Sequence, residues 1–433
     1  MIEQHASGLF YTRHHCMLCG APHPAKVVDL APTSILNPNT GILKGDAAPR
    51  ADDLSVPLDL HLCETCGHLQ LVAIGDPKIQ YATYTYRTSV SRGLAQHFQS
   101  LVADLSARLG PVADRFAVEI GSNDGTVLRL LQQAGFRTLG IDPAEAIARE
   151  ATLAGAETIV GFFDSAAAER IKAERGPAAI IVANNVLANI DDLAEIMAGV
   201  RLLLQPDGML VFETQYGADV IEHCLIDTIY HEHISYFLIG PLARFLAAHG
   251  LELFDVVRIP TKGGSIRCFV QQRGAPRPVA AAVADFVAAE HAAGLGRTAG
   301  YVAFNQRVQR LSRRVHDAVA ATIAEGGRVA GFGVSIGTMT LMSQFNIAYQ
   351  LALLIDDDPE KHGVLKGAGF EIPVRPATAL LAEPPALVLV FAWRYLASVL
   401  AATEAYREAG GELLVPLPEP VRIGADGIAV TLG

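Results

Sequence analysis

The 433-residue chain is short of positive charge: 34 lysines and arginines stand against 45 aspartates and glutamates, a formal net charge of −11. Nucleic acids and anionic membrane surfaces both select basic proteins, so neither is expected as a partner. Long apolar runs are missing as well. The most apolar late stretch, "ALVLVFAW", is too short to cross a bilayer and is followed at once by Arg394. No N-terminal segment joins a basic flank to an apolar core, so a cytoplasmic location is expected. Low-complexity tracts, short repeats and a coiled-coil seam are absent too, and nothing in the pattern demands a dimer. A monomer or weak homo-oligomer is expected.

What is present is ample core. Apolar residues make up 51% of the chain and charged ones 18%, a globular composition at a length that calls for two or three domains. Four of the six cysteines form two pairs, Cys16-x-x-Cys19 and Cys63-x-x-Cys66. In a reducing compartment such pairs point to metal before disulfide. Gly20 and Gly67 follow the second cysteine of each pair, where a glycine lets the backbone turn tightly toward the thiolates. Four soft ligands leave no position open, which favours a structural Zn2+ stapling a small polar block.

Three blocks follow one another: residues 1–75 with the cysteines, 76–275, and 276–433. The second alternates apolar runs with amphipathic stretches, from "RFAVEIGSNDGTVLRLLQQAG" through "RTLGIDPAEAIARE" to "AAIIVANNVLANIDDLAEIMAGV". That alternation predicts a largely parallel sheet with helices on both faces. The third opens with helical sequence and repeats the strand-turn-helix plan at "GRVAGFGVSIGTMTLMSQF". The chain therefore reads as α/β, with two similar α/β units behind the cysteine block.

Gly121 and Gly125 in "VEIGSNDGTVL" let a ligand approach the backbone closely, with Glu119 at the end of the preceding strand. Asp142 in "GIDPA" ends the next strand, where a carboxylate can accept hydrogen bonds from ribose hydroxyls. "EIGSNDG", "GIDPA" and "LLLQPDGMLVFE" together resemble class I S-adenosylmethionine (SAM)-dependent methyltransferases, with a Rossmann-like fold; NAD binding is the competing reading. The Gly-x-Asn-x-Gly form, with Asn123, suits a cofactor without a pyrophosphate. The resemblance places Phe162, Phe163 and Asp164 near the adenine. Asn184 and Asn185 fall toward the methionine end.

"DTIYHEHISYF", Asp227 to Phe237, crowds two histidines around Glu232. On residue types alone it is a catalytic base with an orienting group, a metal site or a polar loop. With the cysteine pairs in front, "YATYTYRTSVSRGLAQHF" and "IDDDPEKHGVLKGAGFEIPV", almost the whole chain resembles one family. These are the sugar C-methyltransferases that methylate C3 of a nucleotide-linked 4-ketodeoxysugar in antibiotic biosynthesis. The resemblance implies an N-terminal four-cysteine zinc-binding module, a central class I SAM domain and a C-terminal Rossmann-like substrate-binding domain. It makes His233 the general base, with Glu232 and Tyr230 alongside and Tyr84 and Tyr86 contributing to the site. A carboxylate beside that histidine would fix its tautomer and raise its basicity. His231 is expected to be structural, and Ser235 and Tyr236 to serve local hydrogen bonding and packing.

Two positions depart from the family pattern. Asn189 replaces a common histidine, and Gly337 stands where a lysine usually follows the loop of Gly333 and Ser335. Lys262, Asn189, Gly333 and Ser335 are expected on the acceptor side, with His68, Arg87 and Arg92 as further acceptor contacts. Cys224 and Cys268 read as buried small hydrophobes. Methylation at oxygen or nitrogen, an NAD(P)-dependent oxidoreductase using "GFGVSIG" with Asp356, and a non-catalytic zinc-stapled binding protein are the alternatives.

Overall fold

The computed structural model describes residues 2–5, 8, 10–34, 42–43, 55–77, 86–90, 93–367, 369–425, 427 and 429–432. Tyr84 and Arg92 lie outside the described residues.

The central sheet has seven strands. Its order begins with Thr158–Val160, Arg137–Asp142, Phe116–Ile120, Ala178–Asn184 and Leu204–Gln215, all parallel. Ser265–Gln272 and Leu251–Ile259 then close it antiparallel. Runs such as "AAIIVAN" suit its middle because both faces are covered. Helix Leu94–Leu109 packs one face through Phe98, Leu101, Val102, Leu105 and Leu109, a helical spacing, against Ala117, Ile180, Val182, Met209 and Val211. The strand order reverses between Phe116–Ile120 and Ala178–Asn184, the place where open α/β sheets bind ligands at their carboxyl ends.

The C-terminal sheet has a parallel middle of Glu412–Val415, Leu387–Val390, Val329–Phe332, Leu351–Ile355 and Phe370–Arg375. Its far edge is completed by Ile42–Leu43 from the N-terminal block. The N-terminal block in turn borrows from the middle of the chain. Ser235–Tyr236 adds to the sheet of Leu69–Leu71, Leu60–Leu62 and Ala25–Val28. One apolar cluster accordingly runs through all three regions, from Leu60 and Leu71 through Phe237 to Val308, Leu341 and Leu354. Helix Ala281–Ala292 packs back on the central unit through buried Glu290, which accepts from Tyr216 Oη and Gly240 N at 2.9 Å. Among the described residues no helix is long and apolar enough to cross a membrane.

Candidate active site

A single cleft of about 2410 Å3 runs along the carboxyl ends of the central strands to the glycine turn of the C-terminal sheet. Small-molecule pockets are typically about 300–1,000 Å3, so the cleft has room for two ligands. Glu119, Gly121, Asn123, Asp142, Phe163, Asn184 and Asn185 line its first half. Asn189, Tyr230, Glu232, His233, Lys262, Gly333 and Ser335 line the other, and Tyr86 and Arg87 also face it.

At the first glycine turn, Asp142 Oδ2 accepts from Asn123 N and Oδ1 from Ala144 N, both at 2.8 Å. These two bonds hold the carboxylate in place at the end of its strand and leave lone pairs for ribose hydroxyls. Asn123, at φ 49, ties the turn to the preceding segment by accepting from Thr88 N (2.9 Å) and donating to Tyr86 O (3.0 Å). A Cβ on Gly121 would stand 2.4 Å from Val186 Cγ2, which explains why glycine is needed there. Glu119 and Asn184 lie on the same face of the sheet as helix Leu94–Leu109. Among the described residues, buried Glu119 Oε2 and both amide atoms of Asn184 have no hydrogen-bond partner. Desolvation, then the charge of Asp142, pushes the Glu119 carboxyl well above the usual carboxylate range. A buried carboxylate and an amide left unpaired cost free energy, and a cationic, hydrogen-bonding ligand such as the ammonium and sulfonium of SAM would recover it. Phe163 is buried in the cleft wall and Phe162 is exposed. Asp164 does not line the cleft: its carboxylate accepts from Ala167 N at 2.7 Å and caps helix Ser165–Arg175.

In the histidine segment, His233 Nδ1 lies 3.1 Å from Thr228 O and Nε2 lies 2.8 Å from Tyr230 Oη. A carbonyl only accepts, so Nδ1 carries the hydrogen and Nε2 receives the Tyr230 hydroxyl. The carbonyl of Thr228, and not the expected carboxylate, therefore sets the tautomer. Burial, then the Lys262 charge, lowers His233 to about 3, so it rests neutral. Lys262 opens onto the cleft, and its enclosing walls lower the ammonium to about 8 against the pull of Glu232. Lys262 holds φ 55 ahead of Gly263 at φ 88, a left-handed pair that turns the chain sharply into the cleft.

His231 is buried near Thr33, Val56 and Ala73, the structural place expected of it. His68 is fully buried against Phe237, away from the cleft, so the expected acceptor contact is not made. Cys224 and Cys268 are buried.

One pair escaped the sequence reading. His97, which lines the cleft, brings Nε2 to 2.6 Å from Glu213 Oε2, and Arg267 Nε donates to Glu213 Oε1 at 2.8 Å. The carboxylate–histidine pairing expected at residues 232–233 is thus found across 116 residues. Its one sequence signal is a glutamate near the end of an apolar strand.

At the end of the cleft formed by the C-terminal sheet, Val334 N donates to Asp356 Oδ2 at 2.8 Å, and Lys361 Nζ to Val334 O at the same distance. Arg394 grips Asp227, with Nη2 3.0 Å from Oδ1. A Cβ on Gly337 would lie 2.4 Å from Asp227 O. That close approach leaves no room for the family's lysine, while Lys361 brings an ammonium to the same turn.

The four cysteine sulfurs lie within 4.8 Å of one another, with Cys16–Cys66 at 3.5 Å and Cys19–Cys63 at 3.6 Å. Thiolates about 2.3 Å from a tetrahedral zinc are about 3.8 Å apart, so the donor set fits that ion. Gly20 and Gly67, at φ 73 and 78, make the tight turns their position predicts.

A family profile described as a methyltransferase domain matches residues 94–256, and one described as a C-methyltransferase C-terminal domain matches residues 260–418. C-methyltransferase NovU of Streptomyces niveus is 32% identical over 412 residues, covering 95% of this chain and 97% of that protein. Among solved structures, magnesium protoporphyrin IX methyltransferase of Synechocystis PCC 6803 with bound SAH is 18% identical. Its TM-score is 0.33, over 45% of this chain and 91% of that one. The PH0226 protein of Pyrococcus horikoshii OT3 is 15% identical with a TM-score of 0.36, over 45% and 98%. Matched along nearly its whole length, the chain belongs to the SAM-dependent C-methyltransferase family that its motifs resemble.

Proposed function

We propose that the enzyme methylates a carbon alpha to a ketone in a nucleotide-linked deoxysugar, with the Tyr230–His233 pair removing the alpha proton and the cysteine module holding a structural zinc. The observation that carries this reading is the hydrogen-bonded chain Tyr230 Oη, His233, Thr228 O, in the same cleft as the unpaired groups of Glu119 and Asn184. SAM, when bound, supplies an electrophilic methyl group. Tyr230 accepts the alpha proton on its oxygen while passing its own proton to His233 Nε2. The imidazolium so formed keeps Nδ1–H on Thr228. The enolate forms beside it, and that new negative charge offsets the desolvation that keeps the empty-site histidine weakly basic. Lys262, protonated below about 8, donates to the enolate oxygen. The enolate carbon takes the methyl and the ketone is restored.

Lys262 opens onto the proposed acceptor end, where Lys361 and Arg394 are already paired with Asp356 and Asp227, and its ammonium favours an anionic acceptor such as a sugar diphosphonucleotide. Deuterium exchange tests the chemistry. Wild type is expected to wash solvent deuterium into the carbon next to the ketone of a nucleotide-linked ketosugar. His233→Gln should lose exchange and turnover together by ~100-fold or more while SAM affinity is kept. Turnover of His233→Gln near wild type would overturn the base assignment, and methyl transfer to oxygen or nitrogen would overturn the reaction type.

A further inference from the structure

The cysteine module is wired directly to the histidine segment. Ser235 and Tyr236 pair with Gln70 and Leu69 of the module's sheet, and Leu71 N donates to Ile234 O at 2.9 Å. The fully buried Gln70 side chain then reaches the first cysteine turn. Its Oε1 accepts from Met17 N at 2.9 Å, and its Nε2 donates to His15 O at 3.2 Å. Met17 lies between Cys16 and Cys19, and its sulfur receives Ser235 Oγ at 3.5 Å. On the other side of the strand, Tyr236 Oη reaches Thr228 O at 3.4 Å, the same carbonyl that holds His233 Nδ1. Ile234 N donates to Ala188 O at 2.8 Å, which ties the segment to the loop after Asn184 and Asn185.

We infer that Gln70 is a positioning residue for His233, and that the cysteine module sets the tautomer and placement of the base as well as stapling the fold. The inference rests on the proposed role of His233. Its physical basis is the shortness of the borrowed strand: two paired residues make few backbone bonds of their own, and Gln70, which pairs with Ser235 and is anchored by its side chain to the cysteine turn, adds to the hold that Leu71 and Ala188 have on Ile234 and Gly217 on Phe237. A reacting group displaced by about 1 Å can cost 100-fold in rate.

The experiment uses the full-length protein purified with its metal. Gln70→Leu, which keeps the volume and removes the side-chain bonds to Met17, His15 and Leu71, should lower kcat ~10- to 100-fold. Metal content, SAM affinity and acceptor KM should stay within twofold. The 15N imidazole signals of His233 should change from one fixed Nδ1–H tautomer to a mixture, and amides of residues 234–236 should exchange faster. Tyr236→Phe, which leaves the core filled, should give the same spectroscopic change in smaller degree, and it serves where Gln70→Leu does not fold. Unchanged kcat and an unchanged His233 spectrum in a folded variant would overturn the inference. His233→Gln is run alongside. If that variant keeps turnover, the base assignment fails, and the spectrum alone decides whether Gln70 positions the ring.

Discussion

The chain contains two glycine turns built on one plan and furnished differently. Each follows a strand of a parallel sheet, and each has a carboxylate at the end of the next strand accepting a turn N–H at 2.8 Å, Asn123 to Asp142 and Val334 to Asp356. The differences lie in what remains unpaired. Two residues before Gly121 stands Glu119, with a carboxylate oxygen unsatisfied. Two residues before Gly333 stands Gly331, whose missing side chain is replaced by the ring of Phe391; a Cβ would lie 2.4 Å from it. Asp142 receives two backbone N–H groups, whereas Asp356 also receives the Lys361 ammonium at 3.3 Å. The helix after the first turn, Thr126–Gln133, has Gly125 as its N-cap and only the Asp124 carboxylate on Thr126 N, whereas the second is closed by a Ser335–Thr338 capping box. A glycine turn followed by an acid thus specifies a backbone shape. Capacity for a cofactor is carried by the polar groups the protein leaves unsatisfied.

The largest effect that separates the two turns is expected from removing each acid. Asp142→Ala should weaken SAM binding by about 10- to 100-fold, the usual worth of one or two hydrogen bonds to a charged group. Asp356→Ala should leave SAM affinity within twofold. Calorimetric titration of both variants checks this, and equal losses would mean the cofactor spans both turns.

A smaller effect concerns charge. Glu119 is held above the ordinary carboxylate range by burial, so at mildly acidic pH the empty protein retains its proton. A cationic cofactor must expel it, and affinity should therefore fall as pH falls through that raised value. Titrations in buffers of different ionisation enthalpy should detect proton release in wild type and none in Glu119→Gln, with ~10-fold weaker binding. Stability carries the opposite sign. A raised acid pKa means the folded state holds its proton longer than the unfolded one, so the unliganded protein loses stability as pH rises from the unfolded value to the folded one. Glu119→Gln should remove that loss, which denaturant melts across this pH range will show.

Much of the first turn was readable in the sequence because its parts are local: Gly121, Asn123 and Gly125 lie within five residues, and Asp142 follows one strand later. The two cysteine pairs were legible for the same reason. What escaped depends on contacts between distant segments. Nothing near His97 announces Glu213, and the two-residue strand Ser235–Tyr236 is too short to declare its partner Leu69–Leu71. Gly337 read as a missing lysine, yet the cause is the carbonyl of Asp227, more than a hundred residues earlier. Asp164 carried a second local signal, since an aspartate opening "DSAAAERIKAER" has the form of a helix cap, the bond its carboxylate makes to Ala167 N.

The smallest effect sharpens the contrast most. Ser335 Oγ accepts from Thr338 N at 3.3 Å, Ser335 N donates to Thr338 Oγ1 at 3.1 Å, and that hydroxyl reaches Gly333 O at 3.0 Å. These bonds use the N–H groups that an anionic ligand would otherwise take from the start of helix Ile336–Phe345. If Ser335 is chiefly a cap, Ser335→Ala should cost about 1 kcal/mol of stability in denaturant melts. SAM affinity and acceptor KM should both stay within twofold. If instead acceptor KM rises tenfold with stability intact, Ser335 touches the acceptor directly. The second turn would then be open to ligand like the first, and the distinction between them would lie only in which ligand each turn receives.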